Sequence, residues 1–333
     1  MNSTTSERAA GRPNHPPLSA RVVLFPDEPA YGLAQRLARR NGVNSLASFC
    51  ADMGISAADL INGRAADRIA ALARADLDSL ERVTVRAEQD QQIRLGGEFL
   101  KQDQWSFRSL RVCPECLRED LKGTGHPDYR AHKRSWWNLT FIHACPFHGT
   151  FLVTRSPADI RNSLDPEVLD VRYAGGGNCD LALVPIDGRR LTDIRPEKYF
   201  LGRLGFMPRS NHETLDALSL GQAVELLDRI GTAAVGGVHP DEYCSVFLSR
   251  DVLVAGYTIL GGGRPALARL FLKLKADLGA AESQWIPRAR YGPLYAWLFH
   301  VSTRDIDAFE PIRRIFLECI GSPTPSDLVT LQP

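Results

Sequence analysis

The chain has 333 residues, of which 44% are hydrophobic and 24% are charged, and its formal net charge is +1. This composition is typical of a folded globular protein, and the balanced charge excludes a protein that binds nucleic acid through a large overall basic excess. No apolar run approaches the roughly 18 residues that a membrane span requires, and the first residues lack the apolar segment of a secretory signal. We therefore expect a cytoplasmic protein.

The chain opens with polar, aperiodic sequence, and residues 1–20 are predicted to form a mobile tail. From Ala30 onward, small and aliphatic residues recur at helical spacing, so the first helix is predicted to begin there. Arg39 and Arg40 suit the negative C-terminal end of that helix, and Gly42 suits the C′ position beyond it.

A second helix is predicted from Ser45 to Met53, followed by a turn at Gly54. Ser56 and Asp59 then have the spacing of a capping box that opens a third helix. This succession is typical of a helix-turn-helix, but bundles that never touch DNA also contain short helices joined by a tight turn. The third helix lacks a row of basic or amide residues for reading base edges. Both interpretations, a DNA-contacting unit and a plain helical bundle, therefore stay open.

Beyond residue 82, the stretches VTVR and IRL indicate short extended segments. Residues 156–200 are rich in proline, glycine and aspartate, which predicts a connector dominated by loops.

Helical periodicity returns after this connector. Ser219 is a suitable N-cap, and Gly231 is predicted to end the helix that follows. A further helix is predicted from Asp241 to Leu260, and the next one has Pro265 at its first position. One or two short helices are expected within residues 291–320.

The middle of the chain contains two matching pairs of metal-ligand residues. Cys113 and Cys116 enclose a Pro-Glu dipeptide, and after 28 intervening residues Cys145 and His148 enclose Pro-Phe. Two such pairs, each with two residues between its members, form the two knuckles that hold tetrahedral zinc. The sequence therefore predicts one zinc ion per chain, held by Cys113, Cys116, Cys145 and His148.

This segment also has other interpretations. Reduced cysteines with an incidental histidine need no metal, and the first cysteine pair could be a redox dithiol, although the βαβ context of such a site is missing. His143 could replace His148 as the fourth ligand, but His148 repeats the spacing of the first pair. We expect His126 and His132 to be surface residues of the intervening loop. Because four protein ligands close the coordination shell, the zinc is predicted to be structural and not catalytic.

The densest cationic group of the chain lies between the knuckles. Arg130, Lys133 and Arg134 precede Trp136 and Trp137, and basic residues beside aromatic ones are what phosphate contact and base stacking require. We expect the three cations to contact nucleic acid or a partner protein. In the alternative interpretation, one tryptophan covers the zinc knuckles and the charges are simply solvated.

The segments CPECLRED and YRAHKRSWWNLTFIHACPFHGTFLV resemble the zinc segment of the TniQ family. LFPDEPAYGLAQRLARRNGVNSLASF resembles the opening of that family, and YFLGRLGF and LSLGQAVELLDRIG resemble later blocks of its bacterial members. The resemblance covers most of residues 21–320 and is most specific in the zinc segment. Many relatives have a second cysteine knuckle, whereas this chain has only Cys179 there, so one zinc is inferred and not two.

The resemblance implies a non-enzymatic adaptor in DNA transposition, which helps to select the target site and recruits an AAA+ ATPase regulator and the transposase. DNA would be bound directly or through a partner, and a CRISPR effector complex or a second copy of the chain are further candidate partners. The sequence has no GxxxxGK[ST] phosphate loop, so the ATPase must be a partner.

Two rival functions remain. A stand-alone zinc-containing DNA-binding regulator would bind one particular duplex without partners. The other rival is a zinc-dependent hydrolase or deaminase. A deaminase would need an H-x-E motif beside P-C-x-x-C, which the sequence lacks, and no H-E-x-x-H or H-x-x-E-H pairing near the cysteines supplies a base for a hydrolase.

The predicted fold is mainly α, with a helix-turn-helix-like N-terminal unit, a central zinc finger and a C-terminal helical bundle. The predicted segments are a tail (1–20), an N-terminal helical unit (21–110), the zinc finger (111–155), a connector (156–200) and a C-terminal helical unit (201–333).

Overall fold

The computed structural model of the protein describes residues 17–43, 45–106, 110–122, 129–155, 190–235, 249–278, 294–295, 297–299 and 306–320. Helices predominate among them, as predicted for a mainly α fold. None of these described helices is long and apolar enough to cross a membrane. Of the predicted tail, only residues 17–20 are described, and there the Leu18 amide donates a hydrogen bond of 3.1 Å to the Leu72 carbonyl.

The first part of the described chain is a group of short helices. They are α1 (Ala30–Arg40), α2 (Leu46–Asp52), α3 (Ala57–Ile61), α4 (Ala66–Ala73) and α5 (Leu77–Val83). Ser45, Ser56 and Asp76 cap three of them by accepting a hydrogen bond from the backbone three residues on. The apolar faces pack into one core, which includes Leu33, Leu37, Phe49, Leu60 and Ile69.

Most predictions for these helices are confirmed. Gly42 has a φ of +76°, the left-handed conformation that the C′ position requires. Ser56 accepts the Asp59 amide at 3.3 Å, but the Asp59 carboxylate pairs with Arg64 at 3.1 Å, so only half of the predicted capping box is present. The turn between α2 and α3 lies at Gly54 (φ +59°) as predicted, and a helix-turn-helix role for this pair stays a prediction.

Two small antiparallel sheets follow these helices. The first contains β1 (Arg86–Ala87), β2 (Gln92–Leu95) and β3 (Glu98–Lys101), and the second pairs β4 (Leu110–Val112) with β5 (Val153–Arg155). The first sheet includes extended residues of the stretches VTVR and IRL, and in β2 the buried Ile93 and Leu95 alternate with exposed residues. In the second sheet Val112 lies opposite Val153, so this sheet brings the two ends of the metal segment together.

The remaining described helices come after residue 190. They are α7 (Arg195–Arg203), α8 (Leu220–Val235), α9 (Arg250–Gly261), α10 (Gly263–Leu278) and α11 (Ile306–Ile320), and α6 (Pro114–Lys122) belongs to the metal segment. Helical residues within 291–320 are confirmed. Of the predicted connector (156–200), residues 156–189 lie outside the described residues. α7 begins at Arg195, within the last residues of that connector.

The predicted end of α8 at Gly231 is wrong, because the helix continues to Val235. Glycine is required at this position for a different reason. A Cβ atom on Gly231 would lie 1.9 Å from the Val252 carbonyl oxygen of α9. The glycine therefore lets two helices cross closely and does not terminate one.

The starts of α9 and α10 also differ from the prediction. α9 begins at Arg250, because Ser249 has an extended backbone (φ −65°, ψ 142°), and not at Asp241. Residues 241–248 lie outside the described residues, and the predicted end at the glycine run is confirmed. Pro265 lies in the first turn of α10, two residues after its start at Gly263, where a missing N–H costs little.

Buried apolar side chains form two separate cores. The first belongs to α1–α5, and the second joins the sheets and the metal segment to α7–α11. Phe141 of the metal segment packs against Phe200 of α7, with ring centroids 4.8 Å apart. Arg203 of α7 forms two hydrogen bonds of 2.8 Å with Glu98 of β3. The metal segment is therefore embedded in the larger core, and it is not an isolated finger.

Candidate metal centre

The four predicted ligands lie together, with all their ligand atoms within 4.8 Å of one another. The Nδ1 atom of His148 is 3.5, 3.4 and 3.3 Å from the sulfur atoms of Cys113, Cys116 and Cys145. The Cys116 and Cys145 sulfur atoms are 3.6 Å apart. Zinc–sulfur bonds of about 2.3 Å at tetrahedral angles place sulfur atoms roughly 3.7 Å apart. The group therefore has the spacing that a metal ion requires.

The first knuckle is built at the start of α6. Pro114 occupies the first helical position, where no backbone N–H is needed. Cys116 lies in the first turn, and its backbone amide donates to the Cys113 sulfur at 3.5 Å. The positive end of the helix favours the thiolate forms that bind metal.

The second knuckle is a tight turn closed by backbone hydrogen bonds. The Gly149 amide donates to the Cys145 carbonyl at 2.7 Å, and the Cys145 amide donates to the Thr150 carbonyl at 2.8 Å. His148 lies in this turn, and its Nε2 atom is 3.0 Å from the Glu119 carboxylate of α6. Donation from Nε2 to the carboxylate leaves Nδ1 unprotonated and facing the three sulfur atoms.

Three sulfur atoms at this distance cannot all ionise unless a cation is bound. Hydrogen bonds with Cys116 and Cys145 lower the pKa of Cys113 far below its usual value. The bond with Cys113 raises the pKa of Cys116 and raises that of Cys145 to about 12. One thiolate is therefore expected without metal, and binding of a dication releases the two remaining protons.

A buried polar network joins the metal segment to the residues before α1. Asp120 of α6 accepts hydrogen bonds of 2.8 and 3.0 Å from the Arg134 guanidinium. His132 lies between two carboxylates, with Nδ1 3.3 Å from Asp120 and Nε2 3.0 Å from Asp27. Asp27 also accepts the Trp136 indole N–H at 3.2 Å. Burial alone would lower the pKa of His132, but the bonds to Asp120 and Asp27 raise it to about 9, so His132 is a cation at neutral pH.

Residues 19–152 match the family model described as TniQ. The chain carries a TniQ domain. This confirms the resemblance seen in the sequence, and the domain includes the first core, the first sheet and both metal knuckles. No curated protein matches the chain. Helices α7–α11 lie beyond the matched range.

Within the TniQ domain, the prediction of a contact surface is wrong for Lys133 and Arg134, because both side chains are buried. Lys133 is only 3% exposed and Arg134 only 9%, because Arg134 belongs to the buried network. Lys133 packs so closely on α1 that a Cβ atom on Gly32 would lie 3.0 Å from the Lys133 Cβ, and burial lowers the pKa of Lys133 well below its usual value. Arg130 is partly exposed and donates to the Leu121 carbonyl at 2.9 Å.

The two tryptophans of the TniQ domain are core residues. Trp136 and Trp137 are almost completely buried, so neither offers a face on which a base could stack. The Trp136 ring lies 6.1 Å from the ring of Phe147 in the second knuckle. The structure thus supports the interpretation in which a tryptophan covers the metal knuckles.

The remaining predictions concern three other histidines and Cys179. The prediction that His132 is a surface residue is wrong, because its side chain is 4% exposed between two aspartates. His143 does not belong to the metal group, which contains His148 as expected. His126 and Cys179 lie outside the described residues.

Sequence reasoning missed three carboxylates that support the centre. Glu119 and Asp120 follow Cys116 by three and four residues on α6, and this helical spacing places them near the knuckle. That spacing was a usable signal. Asp27 precedes Arg134 by 107 residues, and no spacing rule connects residues so far apart.

Proposed function

We propose that the protein is a non-enzymatic adaptor in DNA transposition. The match of residues 19–152 to TniQ carries this proposal, because the TniQ family is associated with transposition. In this role, the protein helps to select the target site and recruits an AAA+ ATPase regulator, which brings the transposase.

The metal group is assigned one structural zinc ion per chain. Three thiolates and one imidazole would fill the four positions of a structural zinc site, with no position left for a substrate or an activated water. The loaded site would have a formal charge of minus one. Without metal, the hydrogen bond with Cys113 raises the pKa of Cys116, and the nearby Arg134 charge opposes this rise in part. When bound, zinc cross-links the two knuckles and contributes to folding.

The ATP-dependent step is assigned to a partner. The two knuckles supply ligands and not a general base, and the sequence contains no phosphate loop of the GxxxxGK[ST] type. The proposed partners are the ATPase regulator, the transposase machinery and DNA, reached directly or through another protein. A CRISPR effector complex and a second copy of the chain are further candidates.

A reconstituted transposition assay tests the adaptor function. The protein is combined with an AAA+ ATPase regulator and a transposase of the kind that TniQ proteins serve, a donor plasmid and a target plasmid, and insertions are mapped by sequencing. We expect insertion at the selected site to require the protein, and we expect immobilised protein to retain the ATPase. Unchanged insertion without the protein, or failure to retain the ATPase, would contradict the proposal.

Matched variants sharpen this assay. Cys113→Ser should abolish insertion, because it removes a metal ligand, whereas Cys50→Ser changes a buried cysteine of the other core and should not. Binding of one particular duplex in the absence of both partners would instead favour a stand-alone DNA-binding regulator.

A further inference from the structure

The first sheet places two arginines side by side on its exposed face. Arg86 of β1 lies directly opposite Arg94 of β2 in the antiparallel register, and both side chains are exposed. Residues paired in this way have Cβ atoms about 4.5–5.5 Å apart, and like charges there are destabilising. The two charges therefore do not stabilise the sheet, and an anion bound between them would relieve their repulsion.

The two arginines have no carboxylate partner among the described residues. Neither side chain forms an ion pair or a hydrogen bond within the part of the chain that the structure describes. The buried arginines behave differently, because Arg134 pairs with Asp120 and Arg203 pairs with Glu98. The guanidinium groups of Arg86 and Arg94 are therefore available to a ligand.

Three more arginines extend this pair along two adjoining grooves. Arg82, Arg86 and Arg94 line a groove of about 370 Å³. Arg82 also lines a groove of about 690 Å³, which Arg21 and Arg74 border as well. All five side chains are exposed. We call them the arginine surface, and its two grooves meet at Arg82.

Carboxylates on the same grooves have local roles in α5. Asp76 caps that helix by accepting the Ser79 amide at 2.9 Å, and Asp78 lies in its first turn. Both positions favour acidic residues because the helix N-terminus is positive. Asp76, Asp78 and Glu81 are the acidic residues that line the grooves, so five arginines outnumber three carboxylates.

We propose that the arginine surface binds the phosphodiester backbone of a nucleic acid. A guanidinium group forms paired hydrogen bonds with phosphate oxygens. Beside Arg94, the groove is bordered by Gly96 and Gly97, and a Cβ atom on Gly97 would meet nothing within 4 Å. This groove lacks the large apolar anchors that dominate protein interfaces, so a phosphate backbone fits it better than a protein partner does.

The arginine surface adjoins the α2–α3 pair. The Ala87 amide of β1 donates to the Asn62 carbonyl just after α3, at 3.2 Å. The inference deepens the proposed function and rests on it only for the identity of the nucleic acid, which would be the target or a guide. The binding itself is inferred from the exposed arginines of the surface, above all from Arg86 and Arg94.

Fluorescence anisotropy with the full chain tests the proposal. The probes are a labelled 30-base-pair DNA duplex and a labelled RNA hairpin, each titrated over a series of salt concentrations. We expect wild-type binding to weaken steeply with salt. Arg86→Gln combined with Arg94→Gln should lower the salt slope by about 1.8, at about 0.9 per phosphate contact, and weaken binding roughly tenfold for each contact at 0.1 M salt.

Arg269→Gln combined with Lys273→Gln is the matched control. These two cations are exposed on α10, have no ion pair among the described residues, and removing them changes the net charge equally. The control should bind as the wild type does. The Arg86→Gln and Arg94→Gln variant should also keep its metal and its melting temperature, since it relieves a repulsion.

Four results would overturn the inference. They are no salt-dependent binding by the wild type, an unchanged affinity in the Arg86 and Arg94 variant, an equal loss in the control variant, and displacement of both probes by polyglutamate as efficiently as by nucleic acid. Preference for the duplex or the hairpin identifies which nucleic acid supplies the backbone. Retention of the ATPase by the same proteins is measured separately, so failure of the adaptor function can be told apart from failure of this surface.

Discussion

The Cys113 thiol is the ligand whose environment most favours ionisation. It accepts hydrogen bonds from neighbouring thiols and from the Cys116 amide, and these contacts lower its pKa. A metal ion would replace the protons on Cys116 and Cys145 and cross-link α6 to the second knuckle. At the scale of single residues, the centre is therefore built to be completed by a cation.

Replacing Cys113 with serine should remove the metal. We expect about one zinc per chain in the wild type and almost none in Cys113→Ser, because three ligands no longer close the shell. Elemental analysis of purified protein measures this. Cys50→Ser is the control, since Cys50 is buried in the first core away from the metal group. Well-folded wild type without zinc would refute the assignment.

His132 gives a pH-dependent stability. Its folded-state pKa of about 9 lies above the usual value of about 6.5. A raised pKa stabilises the fold below the unfolded value, and this contribution is lost as the pH rises through the folded value. The stabilisation that His132 contributes is therefore lost progressively as the pH rises from about 6.5 to about 9.

The His132→Gln variant should reveal this effect. We expect the difference in unfolding free energy between wild type and variant to shrink by up to about 3 kcal/mol from pH 6 to pH 10. Denaturant unfolding at several pH values measures it. His212→Gln is the control, because burial lowers the pKa of His212, and its difference should stay flat above pH 7. A flat difference for His132 as well would contradict the ion-pair assignment.

At the scale of elements, two glycines set the crossing of α8 and α9. A Cβ atom on Gly231 would lie 1.9 Å from the Val252 carbonyl oxygen, and one on Gly256 would lie 2.3 Å from the Leu227 carbonyl oxygen. Each glycine faces the backbone of the other helix, so neither clash can be relieved by turning a side chain. The two helices would have to separate.

Gly231→Ala and Gly256→Ala should each lower the free energy of unfolding by about 2–3 kcal/mol, because the crossing is overpacked. Chemical denaturation measures the change. Gly261→Ala is the matched control, since its Cβ atom would lie 3.8 Å from the nearest atom, His212 Nε2. In that variant we expect no loss, and a gain of up to about 1 kcal/mol from higher helix propensity. Equal effects at all three glycines would exclude the close-crossing explanation.

At the scale of the whole molecule, α6 connects the two cores. It supplies Cys116 to the metal group and Asp120 to the network that reaches Asp27 before α1. The Ser135 amide also donates to the Asp27 carbonyl at 2.9 Å. The position of α6 therefore affects both the metal centre and the packing of the N-terminal helices.

Removing the metal should loosen this connection before it loosens the C-terminal helices. After treatment with a strong chelator, we expect faster hydrogen exchange in residues 114–122 and 131–138, because α6 loses its anchor at Cys116. α8 and α9 should keep their protection, since their crossing does not depend on the knuckles. Hydrogen exchange with mass spectrometry measures both regions. Unchanged exchange in α6 after complete metal removal would contradict the proposed coupling.

Local spacing determined what the sequence alone revealed. The ligands are separated by two residues within each knuckle, the apolar residues of α1 recur at helical spacing, and Ser45 and Ser56 precede the helices that they cap. Each of these features depends on residues a few positions apart. For that reason the metal group, the TniQ resemblance and the positions of α1, α2 and α3 could be predicted, whereas α4, α5 and α6 were not.

Contacts between distant segments decided the rest. Lys133 and Arg134 look like surface charges in the sequence, but α1 covers the first and the carboxylates of Asp27 and Asp120 neutralise the second. Gly231 looks like a helix end, but a neighbouring helix occupies the space where its side chain would be. Burial and charge pairing depend on which segments meet in space, and only the tertiary structure determines that.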